Sequence, residues 1–129
     1  MSQRLTLWTP AILWAAIIFT LSARQFGPDY KPLFTHFDKL QHIGVYAVLG
    51  WLIGRSLLRA HGQPLVKAAV LAIALTALYG MTDEWHQSFV PTRTASVADW
   101  LGDLVGAALG QLPLWYESRR SQKADRQAA

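Results

Sequence analysis

Polar and apolar positions fall in blocks along this chain. Leu5–Leu21, Ile43–Gly54, Ala68–Met81 and Leu104–Tyr116 contain no acidic or basic residue. With their half-polar ends, these blocks approach the roughly 20 residues that an α-helix needs to cross a bilayer. The expected spans are about 5–23, 39–58, 65–86 and 97–116. Helices apolar all round leave too little polar surface for water. The pattern therefore predicts an all-α fold: a polytopic membrane protein, one domain, with a bundle of four transmembrane helices. The charged tail 117–129 is expected to be disordered beyond its first turn. The first span is expected to be retained, because Ser22-Ala23-Arg24 makes a poor small-x-small cleavage site.

Composition sharpens this picture. Only 16% of the 129 residues are charged, against about 25% in an ordinary soluble domain. There is no cysteine, which excludes disulfides, thiolate metal sites and a cysteine nucleophile. The net charge of +4 does not predict nucleic-acid binding, because the basic residues sit in connecting segments and the tail. Their distribution sets an orientation. The head, second loop and tail hold Arg4, Arg55, Arg59, Lys67, Arg119, Arg120, Lys123 and Arg126; the other side holds Arg24, Lys31, Lys39 and Arg93. Eight against four predicts a multi-pass protein with both termini in the cytoplasm.

The segments between the blocks carry the local signals. Pro28 and Pro32 preclude a continuous helix across 24–37. Phe26, Tyr30, Phe34 and Phe37 suit an interfacial belt, so this loop is expected to lie on the membrane beside the site. Thr35-x-x-Asp38 and Ser96-x-x-Asp99 have capping-box spacing. Gly50-x-x-x-Gly54 and the ridge of Gly102, Gly106 and Gly110 predict close helix packing. Thr76, Gly80, Asp83 and Gln87 fall on one helical face.

With that orientation, three separate pieces of chain converge at one outer depth. Asp38, Lys39, His42 and Tyr46 open the second span. Asp83, Glu84 and Gln87 close the third, and Arg93, Ser96, Asp99 and Asp103 open the fourth. Charges at the mouths of apolar helices are costly to place and mark a functional site. The structural alternative assigns Asp38 and Asp99 to helix N-termini and Tyr46 to packing. His42 is expected to bond Asp38 or the Asp83–Glu84 pair, or to transfer protons at its near-neutral pKa. His36 and His86 read as interfacial. Arg93, the only basic residue between Lys67 and Arg119, is expected to bridge the carboxylates of the third and fourth spans. Hard donors are present, but no metal-binding spacing accompanies them. The expectation is no metal and no cofactor.

These residues also carry a family likeness. Asp38-Lys39-x-x-His42-x-x-x-Tyr46-x-x-Leu49-Gly50, and Asp83-Glu84-x-x-Gln87-x-Phe89-x-Pro91-x-Arg93-x-x-Ser96-x-x-Asp99 with Gly106 and Gly110, resemble the two motifs of the VanZ-like membrane proteins. The family is named for a protein encoded with glycopeptide-resistance genes and associated with teicoplanin resistance. The resemblance implies a small polytopic protein of the cell envelope. The chain departs from the pattern at two positions: Thr92, often Gly, and Asp103, often Asn. A neutral amide at 103 argues against a required metal-binding carboxylate there.

The functional expectation is a non-enzymatic envelope protein whose outer polar pocket binds an amphiphile. Candidate partners are membrane lipid headgroups, lipid-linked cell-wall intermediates or a lipoglycopeptide, the last with a contribution to teicoplanin resistance. Arg93 and Lys39 would meet anionic groups; the carboxylates would meet amines or hydroxyls. Two alternatives belong to other classes. One is a membrane-embedded enzyme acting on a lipid phosphate or polyprenyl diphosphate, with Arg93 on the phosphate and His42 as acid or base. The other is a small proton-coupled transporter, for which four spans suggest a homo-oligomer.

Overall fold

The first three charge-free blocks become single helices that take in their half-polar ends. The structure is a computed structural model that describes residues 3–25, 27, 29, 31, 33 and 37–128. Five helices follow in order: α1 Gln3–Ser22, α2 Phe37–His61, α3 Leu65–Gln87, α4 Val97–Leu109 and α5 Leu112–Ala128. No strand occurs among the described residues. The chain is all-α, as its pattern predicts. The expected cap at Thr35, the ring positions Phe26, Tyr30 and Phe34, the helix-breaking Pro28 and Pro32, and His36 lie outside the described residues.

Helices α1, α2 and α3 are long and apolar enough to cross a membrane. Their outward faces carry exposed Leu5, Ile12, Leu13, Ile17, Val66, Val70 and Leu78. Contiguous exposed apolar surface of that kind needs a non-aqueous neighbour. The fourth expected span, 97–116, is not one helix. Pro113 has no N–H, and its ring would clash with the Leu109 carbonyl four residues back if the helix ran on. The chain therefore turns at Gly110 and Gln111 and restarts as α5. At 13 residues, α4 is about 20 Å long, well short of a bilayer core. The tail expected to be disordered continues α5 as helix to Ala128. Along it, Arg119 stacks over Trp115 at 3.9 Å.

Helix α2 is the central element and packs against α1, α3 and α4. Its seam with α4 depends on glycine. A Cβ at Gly106 would collide with the backbone of Ile43 and Ala47, and one at Gly110 with that of Ala47 and Trp51. From the other side, a Cβ at Gly50 would stand 2.9 Å from the Ala107 carbonyl oxygen. Gly102 is looser, since its nearest neighbour, the His42 Cβ, would be 3.5 Å away. Buried Gln111, just after α4, ties the seam by donating from Nε2 to the Gly50 and Ala107 carbonyls, 2.9 Å each. On the opposite side, Ala11, Ile18, Tyr46, Leu49, Leu52, Ile53, Ala68 and Ala72 form the apolar core. Trp14 Nε1 to the Val45 carbonyl (2.9 Å) and the Tyr79 hydroxyl to the Ala15 carbonyl (2.6 Å) fasten α1 to it.

Candidate functional site

The polar residues lie at the start of α2, the end of α3 and the start of α4. They form two groups on either side of α2. The first is centred on Asp83, which the face of Thr76, Gly80, Asp83 and Gln87 turns inward. All four are buried. Asp83 Oδ2 accepts from the Ser22 hydroxyl at 2.8 Å, the Tyr46 hydroxyl at 3.0 Å and Gln87 Nε2 at 3.0 Å. Three donors converging on one oxygen compensate for much of the solvation that a buried carboxylate loses. Its other oxygen is buried without a partner.

This group opens on a cavity of about 630 Å³ between α1, α2 and α3. Ile18, Leu21, Phe37 and Val45 supply apolar wall. Ser22, His42, Tyr46, Asp83 and Gln87 supply polar lining, and Arg24, Asp38, Gln41 and Arg93 complete it. Ser22, Arg24 and Gln41 were not singled out by the sequence. Ser22 and Arg24 have no motif around them, Gln41 is an unspecified position of the first motif, and the place of all three depends on how α1 and α2 dock.

The second group lies between α2, α3 and α4. His42 Nδ1 is 2.7 Å from Asp103 Oδ1 and 3.9 Å from Glu84 Oε1. Asp103 is fully buried and Glu84 nearly so. Asp103 takes the hydrogen bond of His42, in place of Asp38, and Glu84 of the expected Asp83–Glu84 pair stands at ion-pair distance. Glu84 Oε2 accepts the Ser96 backbone N–H at 2.7 Å. Lys39 Nζ lies 2.8 Å from Asp99 Oδ1 and 3.2 Å from Asp38 Oδ2. His42 connects the groups, because its ring stacks parallel to that of Tyr46 with centroids 6.0 Å apart.

Two expectations change here. Ser96 does begin α4, but its side chain makes no capping bond. Glu84 binds its N–H instead, and Asp99 faces Lys39, so the capping box is not formed. Arg93 does not make the expected bridge to the carboxylates. Its Nη2 donates to the Leu21 carbonyl at 3.0 Å and its Nε to the Arg24 carbonyl at 3.3 Å. It fastens the α3–α4 loop to the end of α1. The carbonyls at a helix C-terminus carry partial negative charge that attracts a cation, which gives this contact its electrostatic reason. Of the eleven polar positions marked by the sequence, Asp38, His42, Tyr46, Asp83, Gln87 and Arg93 line the cavity. Lys39, Glu84, Ser96, Asp99 and Asp103 belong to the second group.

The loop itself has a specific geometry. Arg93 N–H donates to the Val90 carbonyl at 3.1 Å, Pro91 follows Val90, and Thr92 has φ of 72°. A proline followed by a positive-φ residue inside an i to i+3 bond is the pattern of a type II turn, which favours glycine at the second central position.

The sequence model of the VanZ/LLP1 family matches residues 6–116. No curated protein and no solved structure matches the chain.

Proposed function

We propose a function from one premise: the chain belongs to the VanZ/LLP1 family. On this reading it is a multi-pass protein of the bacterial inner membrane with both termini in the cytoplasm. Its cavity at the outer face binds the headgroup of an amphiphile, and the lipid tail lies along the apolar wall. Lipid headgroups, lipid-linked cell-wall intermediates and lipoglycopeptides share that chemistry. Holding such a molecule at the membrane surface is a route by which the protein would contribute to glycopeptide resistance.

The observation that supports this reading is the cavity lining. Arg24 and Arg93 suit an anionic group; Asp38 and Gln41 suit hydroxyls; Ile18, Leu21 and Val45 suit hydrocarbon. Pockets with mostly apolar walls and a few convergent polar groups are the usual form of a small-molecule site. The orientation rests on the eight-to-four distribution of basic residues.

The experiment is native mass spectrometry of the protein from mixed-lipid nanodiscs, with and without added undecaprenyl-linked cell-wall precursor. One retained amphiphile per chain is expected, weakened about tenfold or more in Val45→Trp, which narrows the cavity, and in Asp83→Asn. Retention indifferent to both variants would overturn the reading. Release of inorganic phosphate from a polyprenyl diphosphate by the purified protein, abolished in His42→Ala, would replace it with the enzymatic alternative.

A further inference from the structure

We propose that His42, Glu84 and Asp103 form a binding site for one divalent transition-metal ion, with zinc the best match. Hard donors are evident in the sequence, but the three ligands come one each from α2, α3 and α4. No spacing rule within one segment would reveal such a set. Their nearest donor atoms all lie within 4.8 Å of one another. The separations from His42 Nδ1, 2.7 Å to Asp103 and 3.9 Å to Glu84, bracket the roughly 3.3 Å edge of a tetrahedron with zinc–ligand bonds near 2.0 Å. One imidazole and two carboxylates leave a fourth position open, as zinc sites with three protein ligands do.

Two further observations point to a cation. Glu84 Oε1 and Asp103 Oδ2 are buried and have no hydrogen-bond partner. Buried polar atoms are rarely left so. Glu84 Oε1 is also the oxygen directed at His42. The charge balance leads the same way. With His42 charged, the trio still carries one net negative charge, and Asp83 and Asp99 add to it nearby. Lys39 is engaged by Asp99 and Asp38, and the Arg93 guanidinium is engaged by the end of α1. A divalent ion with neutral His42 makes the trio neutral. Glycine at 80 leaves room beside the acid, since a Cβ there would stand 2.6 Å from Asp103 Oδ2.

Asn at position 103 would retain one oxygen donor and remove one charge, so Asp103→Asn weakens the site less than the loss of His42 or Glu84 as a ligand. Imidazole with carboxylates suits zinc, manganese or cobalt over magnesium or calcium.

The test uses the whole chain, purified in detergent without a polyhistidine tag. It is dialysed against micromolar Zn²⁺, then freed of excess and assayed by elemental mass spectrometry. One zinc per chain is expected. Co²⁺ in its place should give the visible absorption of a low-coordinate centre. His42→Ala and Glu84→Gln should each lower affinity at least a hundredfold, and Asp103→Asn about tenfold. His86→Ala should leave it unchanged. Circular dichroism and gel filtration identify which variants are folded. If His42→Ala does not fold, Glu84→Gln alone decides. Folded wild-type protein that holds no stoichiometric zinc, or folded Glu84→Gln that holds as much as wild type, would overturn the proposal.

Discussion

The two sides of α2 are built on opposite principles. Towards α4 the contact is backbone against backbone, and Gly106 and Gly110 leave no space for even one carbon. Towards α1 the contact is made by side chains, through an apolar core along much of the helix and a cavity with polar lining at one end. The tight side fixes Asp99 and Asp103 against Lys39 and His42 to within hydrogen-bond distance. The open side leaves volume that the protein itself does not fill. A carboxylate–imidazole set needs positioning within about 0.5 Å to act as one unit. An amphiphile site needs space. The same helix meets both demands because its two faces carry different residues: small ones opposite α4, and Tyr46 with aliphatic residues opposite α1 and α3.

If that contrast is right, the largest effect belongs to the tight side. Gly106→Val puts three carbons where the Ile43 and Ala47 backbones already stand. Overpacking typically costs about 1–3 kcal/mol when side chains can adjust. Here the obstructing atoms are backbone, so a loss of about 3 kcal/mol or more is expected, seen as a large drop in unfolding midpoint in detergent. Gly102→Ala is the matched control. Its Cβ would meet nothing closer than 3.5 Å, and a change within about 0.5 kcal/mol is expected. Equal losses at both positions would mean that backbone contact at Gly106 is not what makes the seam tight.

This seam was largely legible in the sequence, because four-residue glycine spacing places small residues on one helical stripe. The break in the fourth apolar block was also encoded, at Gly110 and Pro113. A run without any charged residue from Leu104 to Tyr116 masked it. Hydropathy reports burial, whereas proline reports backbone geometry, and here the two disagree. The open side was less legible. Ser22 looked like part of a poor cleavage site and proves to be a donor to Asp83. Its role depends on where α1 docks, which no local pattern encodes. The carboxylates near Arg93 in the sequence made them its natural partners, yet sequence proximity does not outrank the carbonyls at the end of a neighbouring helix.

The next effect tests what holds the open side in place. Arg93 ties the α3–α4 loop to Leu21 and Arg24, on a side where α1 has only limited contact with α3. Charged hydrogen bonds are worth about 1.5–3 kcal/mol when buried. These are solvent-exposed, and exposed charge interactions lose much of their strength to water, so about 1 kcal/mol is expected for Arg93→Ala. The change should also be local: amides at the end of α1 should exchange faster, while those of the α2–α4 seam remain protected. Hydrogen exchange by mass spectrometry reads both regions in one experiment. Uniformly faster exchange would mean that Arg93 supports the whole bundle and not the α1 side.

The smallest effect has the opposite sign. Thr92 occupies φ of 72°, where an L-residue pays about 1–2 kcal/mol relative to the right-handed region and a β-branched one is least at ease. Thr92→Gly relieves that strain. It also adds chain entropy to the unfolded state, a penalty of about 0.4–1 kcal/mol. The balance is a gain of about 0.5 kcal/mol. Thr92→Ala separates the causes, because it deletes the hydroxyl and the branch but keeps the Cβ that conflicts with the left-handed conformation. Glycine should therefore stabilise the chain and alanine should not. The turn also sets the direction in which Arg93 leaves the loop towards α1, so a better-formed turn should slow exchange at the end of α1, the region that Arg93→Ala loosens. If alanine stabilises as much as glycine, the benefit comes from losing the threonine side chain and not from backbone geometry. The type II turn would then not be what aims Arg93 at α1.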